Sequence, residues 1–298
     1  MTRRGWLLFA SMCVIWGVPY LMIRVAVREL SPVTLVLART GIAALILLPI
    51  AALRRELRPL LPRWRPLVVF SAVEIALPWL LLSSAEQRIT SSLAGLLIAA
   101  VPLVGTVVTV ALGDRDMLAG RRLAGLAVGV VGVAAIVGLD VGDSSPTALV
   151  EIAIVAICYA VGPILLARTL ADAPAIGVVA ASLALSAVAY APFAATRLPD
   201  HTPSGKVLAS VLGLAVLCTA IAFLLFFALI AEVDPVRATV ITYVNPAVAA
   251  VLGVTLLGER FTLGMGVGFA LVLAGSVLAT GRTGVRAELE PAPIVAEP

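Results

Sequence analysis

The chain has 298 residues, of which 61% are hydrophobic and 13% charged, and its mean hydropathy is +1.12. Soluble domains run at about 45 to 50% apolar and about 25% charged, so no water-soluble fold could hide this much apolar surface. The formal charge of +4 does not point to a nucleic-acid partner, because the arginines fall in short polar stretches between apolar runs and form no basic face.

Crossing a hydrocarbon core of about 30 Å takes roughly 20 apolar residues per helix. Ten such runs occur, over residues 6–24, 32–53, 66–86, 91–112, 120–139, 147–167, 175–196, 207–231, 235–257 and 263–281. A membrane β-barrel requires alternating apolar and polar residues, whereas stretches such as 35–53 and 207–231 are apolar on nearly every side. The expected fold class is all-α integral membrane, with ten transmembrane helices. Arg3 and Arg4 before an apolar run mimic a signal peptide, but no small-x-small cleavage site follows and 16–20 continues the span. Met12 before Cys13 also departs from a lipoprotein cleavage site, so an uncleaved first helix is expected.

Ten spans put both termini on one side. With that side cytoplasmic, 14 of the 21 Lys and Arg lie inside and 6 outside, with Arg39 alone in the membrane, as the positive-inside rule requires. The expectation is a multi-pass protein of the cell membrane with both termini in the cytoplasm. The tail, 282–298, carries prolines and glutamates and reads as disordered.

The chain also repeats itself. Val101-Pro102 through Gly113-Asp114-Arg115 into a Gly-rich helix recurs as Asn245-Pro246 through Gly258-Glu259-Arg260 into another, and Ile15 and Pro32 recur as Ile157 and Pro174. The repeats are placed at 1–143 and 144–281. Five helices per repeat is an odd number, so the second copy enters the membrane upside down, and such inverted repeats are the mark of alternating-access transporters.

Several residues stand out for chemistry. Arg39 lies about seven residues inside span 2, roughly 10 Å deep, and Glu74 about eight residues inside span 3, roughly 12 Å deep from the other face. Intramembrane charges are by default functional. Here the depths allow a structural ion pair between the two, or contact with substrate or proton. Pro102 and Pro246 each remove a backbone donor and kink a helix. Carbonyls freed at membrane depth must be satisfied by protein, water or substrate, so the pair points to a midplane cavity, with Asn245 beside it. Trp16, Tyr20, Trp79, Gln87, Tyr159 and Tyr243 are candidates for its wall, although Trp and Tyr also mark membrane interfaces. Gly125 with Gly129, and Gly264 with Gly268, have the spacing of close helix packing, within the chain or in a homodimer. Cys13, Cys158 and Cys218 fall in apolar runs without metal-ligand spacing, and His201 sits in a polar loop. No catalytic residue, metal site or cofactor is expected.

Trp16-Gly17, Pro32 with Arg39, and the two Pro-to-Gly-acid-Arg segments together resemble the drug/metabolite transporter superfamily, most closely its ten-helix EamA-type members, over roughly residues 6–281. The resemblance implies a secondary transporter, often an exporter of amino acids or other small metabolites, with a central cavity between the halves. It departs from that symmetry at Arg39, whose counterpart is Ala181. The rival readings are an intramembrane lipid-modifying enzyme, for which one loop His and scattered acids are poor material, and a membrane protein without turnover. No phosphate-cradling glycine loop followed by Lys and Ser/Thr is present to use ATP.

Overall fold

A computed structural model describes residues 2–113, 120–138, 145–232 and 240–280. The described chain is helical. We label its membrane helices α1 (Arg3–Ala26), α2 (Pro32–Leu53), α3 (Arg58–Ala85), α4 (Ser91–Ala111), α5 (Gly120–Gly138), α6 (Pro146–Thr169), α7 (Ala175–Ala195), α8 (Gly205–Glu232), α9 (Ile241–Leu257) and α10 (Leu263–Thr280). Nine of these are long and apolar enough to cross a bilayer, and α9 is a shorter apolar helix. The tail, Asp114-Arg115 and residues 235–239 of the expected ninth span lie outside the described residues.

Local sequence sets the helix ends. Ser31, Thr90 and Ser204 cap α2, α4 and α8 by accepting backbone N–H groups from Thr34, Leu93 and Val207, donors that have no partner inside a helix. Proline opens α2 and α6 in the first turn, where its missing N–H costs nothing.

Contacts between helices reveal the inverted repeat. α2 packs on α7, α4 on α9 and α5 on α10, each helix against its own counterpart. The remaining contacts come in mirrored sets: α1 lies on α8 as α6 lies on α3, and α1 lies on α9 as α6 lies on α4. Polar links follow the same symmetry. Ser204 N–H donates to Glu29 at 2.7 Å, joining the α1–α2 loop to the start of α8. Arg63 pairs with Asp172 at 3.7 Å, joining the start of α3 to the α6–α7 loop.

The closest approach is between α5 and α10. Gly125, Gly129 and Gly132 of α5 face Gly268 and Gly275 of α10 so tightly that an added methyl on Gly125 would stand 2.5 Å from the Ala279 nitrogen. These small residues are used inside the chain, with backbone on backbone.

The architecture places the loop after α4 and the loop after α9 on opposite faces. Single cysteines at Gly120 and Arg260, both exposed, in a background without the three native cysteines, are expected to react with an impermeant thiol reagent from opposite sides of the membrane. Labelling of both from one side would overturn the inverted repeat.

Candidate functional site

Two helix breaks shape the interior. α1 is interrupted at Trp16 and Gly17. There Gly17 N–H turns back to Val14 rather than to Cys13. The Cys13 carbonyl so released accepts from the Asn245 amide of α9 at 2.9 Å, and the same amide donates to Ile241 at 3.0 Å, the orientation being the one that satisfies both. Gly17 must be glycine here, since a Cβ would stand 2.9 Å from the Asn245 carbonyl oxygen and collide with Val248. α4 breaks at Ala99 and Ala100, so that Pro102 opens its second segment, while Pro246 sits inside an unbroken α9. Asn245 therefore ties α9 to the break in α1.

A second irregularity is doubled. α3 is wound as a π-helix over Ser71–Ala76, and α8 over Gly213–Ile221, segments that begin at matching positions of the two repeats. π-turns often mark functional sites, because the wider winding re-aims side chains and loosens carbonyls. α7 serves the π-turn of α3: Ser71 donates to the Ser182 carbonyl at 2.8 Å and Tyr190 donates to the Ala76 carbonyl at 3.1 Å. α2 serves the π-turn of α8 through Arg39.

Arg39 is 7% exposed. Its Nε donates to Thr219 Oγ1 at 3.0 Å, and its guanidinium lies 3.6 Å from the centre of the Trp79 ring. Thr219 passes its own hydroxyl hydrogen to the Leu214 carbonyl, five residues back, at 2.7 Å. Stacking on Trp is among the strongest cation–π arrangements, and a planar guanidinium can stack and donate at once. Tyr20 and Tyr159 stand within electrostatic range of the same cation.

The ion pair between Arg39 and Glu74 that helix depth allows is not formed. Among the described residues no ion pair joins them. The π-turn carries Glu74 to α6, where its carboxylate packs on Gly162 at a point that any Cβ would obstruct, and its Oε2 is buried without a hydrogen-bond partner. Helix depth leaves the two charges within reach of each other, but their side chains take different partners.

The other candidates divide. Trp79, Tyr20 and Tyr159 gather around Arg39. Trp16 stands nearby in an aromatic cluster with Phe223 and Phe226 of α8, ring centres 6.0 and 4.7 Å away. Gln87 is exposed. Tyr243, in the first turn of α9, meets Thr280 at the end of α10, hydroxyl to hydroxyl at 3.3 Å. Neither belongs to the cluster. The three cysteines are buried and free, and no metal-ligand cluster occurs among the described residues.

One acid escapes the sequence reading. Glu86 follows α3 in Ser83-Ser84-Ala85-Glu86-Gln87-Arg88, which reads as the polar end of a span, yet it is fully buried. Nearby, the Gly-Glu-Arg motif explains itself. Gly258 adopts a left-handed φ of 66°, which glycine tolerates. The turn brings Glu259 over the start of α4, where its carboxylate accepts from the N–H and hydroxyl of both Ser91 and Ser92 at 2.5 to 2.9 Å. A carboxylate at a helix N-terminus is favoured by the unpaired N–H groups and the helix dipole. Glu259→Gln is expected to lower stability by about 2 kcal/mol, the scale of a hydrogen bond to a charged group, as a fall in melting temperature of detergent-purified protein; an unchanged melting temperature would show the clamp to be idle.

Comparison with known proteins agrees with this geometry. The model of the EamA-like transporter family matches residues 3–138 and again 147–281. The chain belongs to the EamA-like transporter family. This EamA-like protein is 28% identical over 279 residues to the uncharacterized inner membrane transporter YedA of Escherichia coli K12, covering 88% of each chain. It is 24% identical over 277 residues to an uncharacterized transporter of Archaeoglobus fulgidus, covering 91% of this chain and 97% of that one. A solved crystal structure matches with a TM-score of 0.65 at 20% identity, covering 94% of this chain and 97% of the other, which shows a shared fold. The EamA-like protein is therefore a multi-pass membrane protein of a transporter family.

Proposed function

We propose that the protein is a secondary transporter that moves small polar or amphipathic metabolites, amino acids among them, out of the cell by alternating access, with a proton as coupling ion. It acts in the plasma membrane, as the inner-membrane description of YedA suggests, and the outward direction rests on the family resemblance. One observation carries the reading: cross-repeat latches at opposite ends of the bundle. Where α1 begins, Thr2 and Arg4 hold Glu232 at the end of α8. Where α3 ends, Ser84 and Arg88 hold Glu151 near the start of α6, each at 2.8 Å. The pairs are related by the repeat, so opening one face while the other stays latched requires only that the two halves exchange conformations.

Between the latches lies the Arg39 cluster, a fixed cation suited to a substrate carboxylate beside apolar and aromatic walls. The arrangement supplies positioning and charge without a nucleophile–base pair, which favours carriage over chemistry. Purified protein in lipid vesicles, loaded with a radiolabelled panel of amino acids and other small metabolites, tests the proposal. Release faster than from empty-lipid controls, under a proton gradient or by exchange, is expected. If no member of a broad panel moves under either condition, the transporter reading fails.

A further inference from the structure

Glu86 has no task in the reading above. It is 0% exposed, and both carboxylate oxygens are shut from water without a hydrogen-bond partner. The neighbouring guanidinium of Arg24 donates to the backbone carbonyl of Glu86 and leaves the carboxylate untouched. The charged and titratable groups facing it come from three directions: Tyr20 and Arg24 of α1, Arg39 of α2, and Glu259 beyond α9. Arg39 donates to Thr219 and stacks on Trp79, and among the described residues no ion pair joins it to Glu86. Glu259 is a second acid whose oxygens are already filled by Ser91 and Ser92. Glu151 of α6, near the end of α3, is engaged by Ser84 and Arg88.

A carboxylate buried with no partner is sustained only when a proton or a bound cation neutralises it. A structural acid held for packing alone would gain from an acceptor for its hydrogen, and none is provided. The placement instead couples charge to shape. Glu86 follows the end of α3, where Arg24 of α1 reaches its backbone carbonyl, and it lies within electrostatic range of Glu259, the acid that clamps the α9 turn to α4.

We infer that Glu86 is the residue on which this transporter loads and releases its coupling proton, and that the Glu259 clamp on α4 responds to its charge. The inference rests on the transporter reading and names the coupling group within it. The step moves one proton and no electrons: the O–H bond of the Glu86 carboxyl breaks, the proton passes to water at the face where α3 ends, and the carboxylate remains. That second negative charge repels Glu259 and demands hydration, so the clamp yields and the end of the bundle opens. Reprotonation lets it close.

Two measurements test this. In lipid-reconstituted protein without substrate, the infrared carbonyl stretch of protonated carboxyl groups is followed as the medium is made alkaline. Because Glu74 is a second acid with a buried, unpartnered oxygen, the comparison is made in a Glu74→Gln background: a component that disappears with alkalinity is expected in Glu74→Gln and expected to be missing when Glu86→Gln is added, and a component unchanged in that double variant overturns the inference. In vesicles given the radiolabelled amino-acid panel, the ratio of gradient-driven flux to exchange flux should fall tenfold or more in Glu86→Gln. Glu86→Asp should keep gradient-driven flux with a displaced pH profile, which also covers the case of a Gln variant that does not fold. A ratio unchanged in Glu86→Gln, or a pH profile unchanged in Glu86→Asp, overturns it. If no panel member moves in the parent, the transporter reading fails by itself while the infrared result still decides whether Glu86 exchanges a proton.

Discussion

Replacing Gly275 by valine is expected to abolish recovery of folded protein. A Cβ at this position would stand 2.5 Å from the Gly129 nitrogen, 2.6 Å from the Gly125 carbonyl oxygen and 2.7 Å from the Gly129 Cα. All three are backbone atoms of α5 and have no rotamer into which to retreat. Gly132, farther along the same contact, is equally confined, since a Cβ there would stand 2.7 Å from the Gly268 carbonyl oxygen and from the Val272 nitrogen. Overpacking in cores that can adjust costs about 1 to 3 kcal/mol. Here the only adjustment is to move α5 and α10 apart along their length, and with a total stability on the order of 5 to 15 kcal/mol the native fold should be lost. Size-exclusion profiles and thermal unfolding of detergent-solubilised protein provide the readout. Gly41→Ala is the control: nothing lies within 4 Å of its added methyl, and alanine in a helix interior gains about 0.5 to 1 kcal/mol over glycine. A monodisperse Gly275→Val protein melting near the parent would refute the close α5–α10 contact.

The second large effect belongs to Arg39. Arg39→Lys is expected to fold and to reduce transport of whichever panel solute the parent carries by tenfold or more. An ammonium keeps the charge but cannot lie flat on Trp79 while donating to Thr219. The stacked cation contributes about 2 kcal/mol in a desolvated site, and the hydrogen bond to Thr219 about 1.5 to 3 kcal/mol. A double-mutant cycle locates these energies. Arg39→Met combined with Thr219→Val should show a coupling of about 1 to 3 kcal/mol, as residues in one network do. Arg39→Met combined with Glu74→Gln should be additive within about 0.5 kcal/mol, as separate sites are. A coupling above 1 kcal/mol with Glu74 and none with Thr219 would restore the Arg39–Glu74 pair and remove the arrangement described above.

Most of the architecture was legible in the residues. A bilayer imposes its own length on every span, so runs near 20 apolar residues translate directly into helices, and span 2, read as 32–53, coincides with α2 (Pro32–Leu53). The duplication around Pro102 and Pro246 gave the inverted repeat, because an odd number of helices per copy leaves no other topology. Arg39, Trp79, Tyr20 and Tyr159 were visible as polar or aromatic residues in apolar surroundings, where they are rare enough to stand out.

What the sequence determined by itself, then, is what the solvent dictates: the helical class, the number and order of the apolar helices, and the duplication that inverts the second half. Only the tertiary structure decided partners. Depth along the normal is linear in residue number, but direction around an axis is not, once a π-turn re-aims the side chains of α3 and α8. Glu74 and Arg39 therefore part company although their depths would allow a pair, and Arg39 goes to Thr219, a residue of the other repeat. Glu86 was hidden for a related reason. At the polar end of a span a glutamate is ordinarily solvated, and only the tertiary structure, which brings Arg24 of α1 to its backbone carbonyl, shows it 0% exposed.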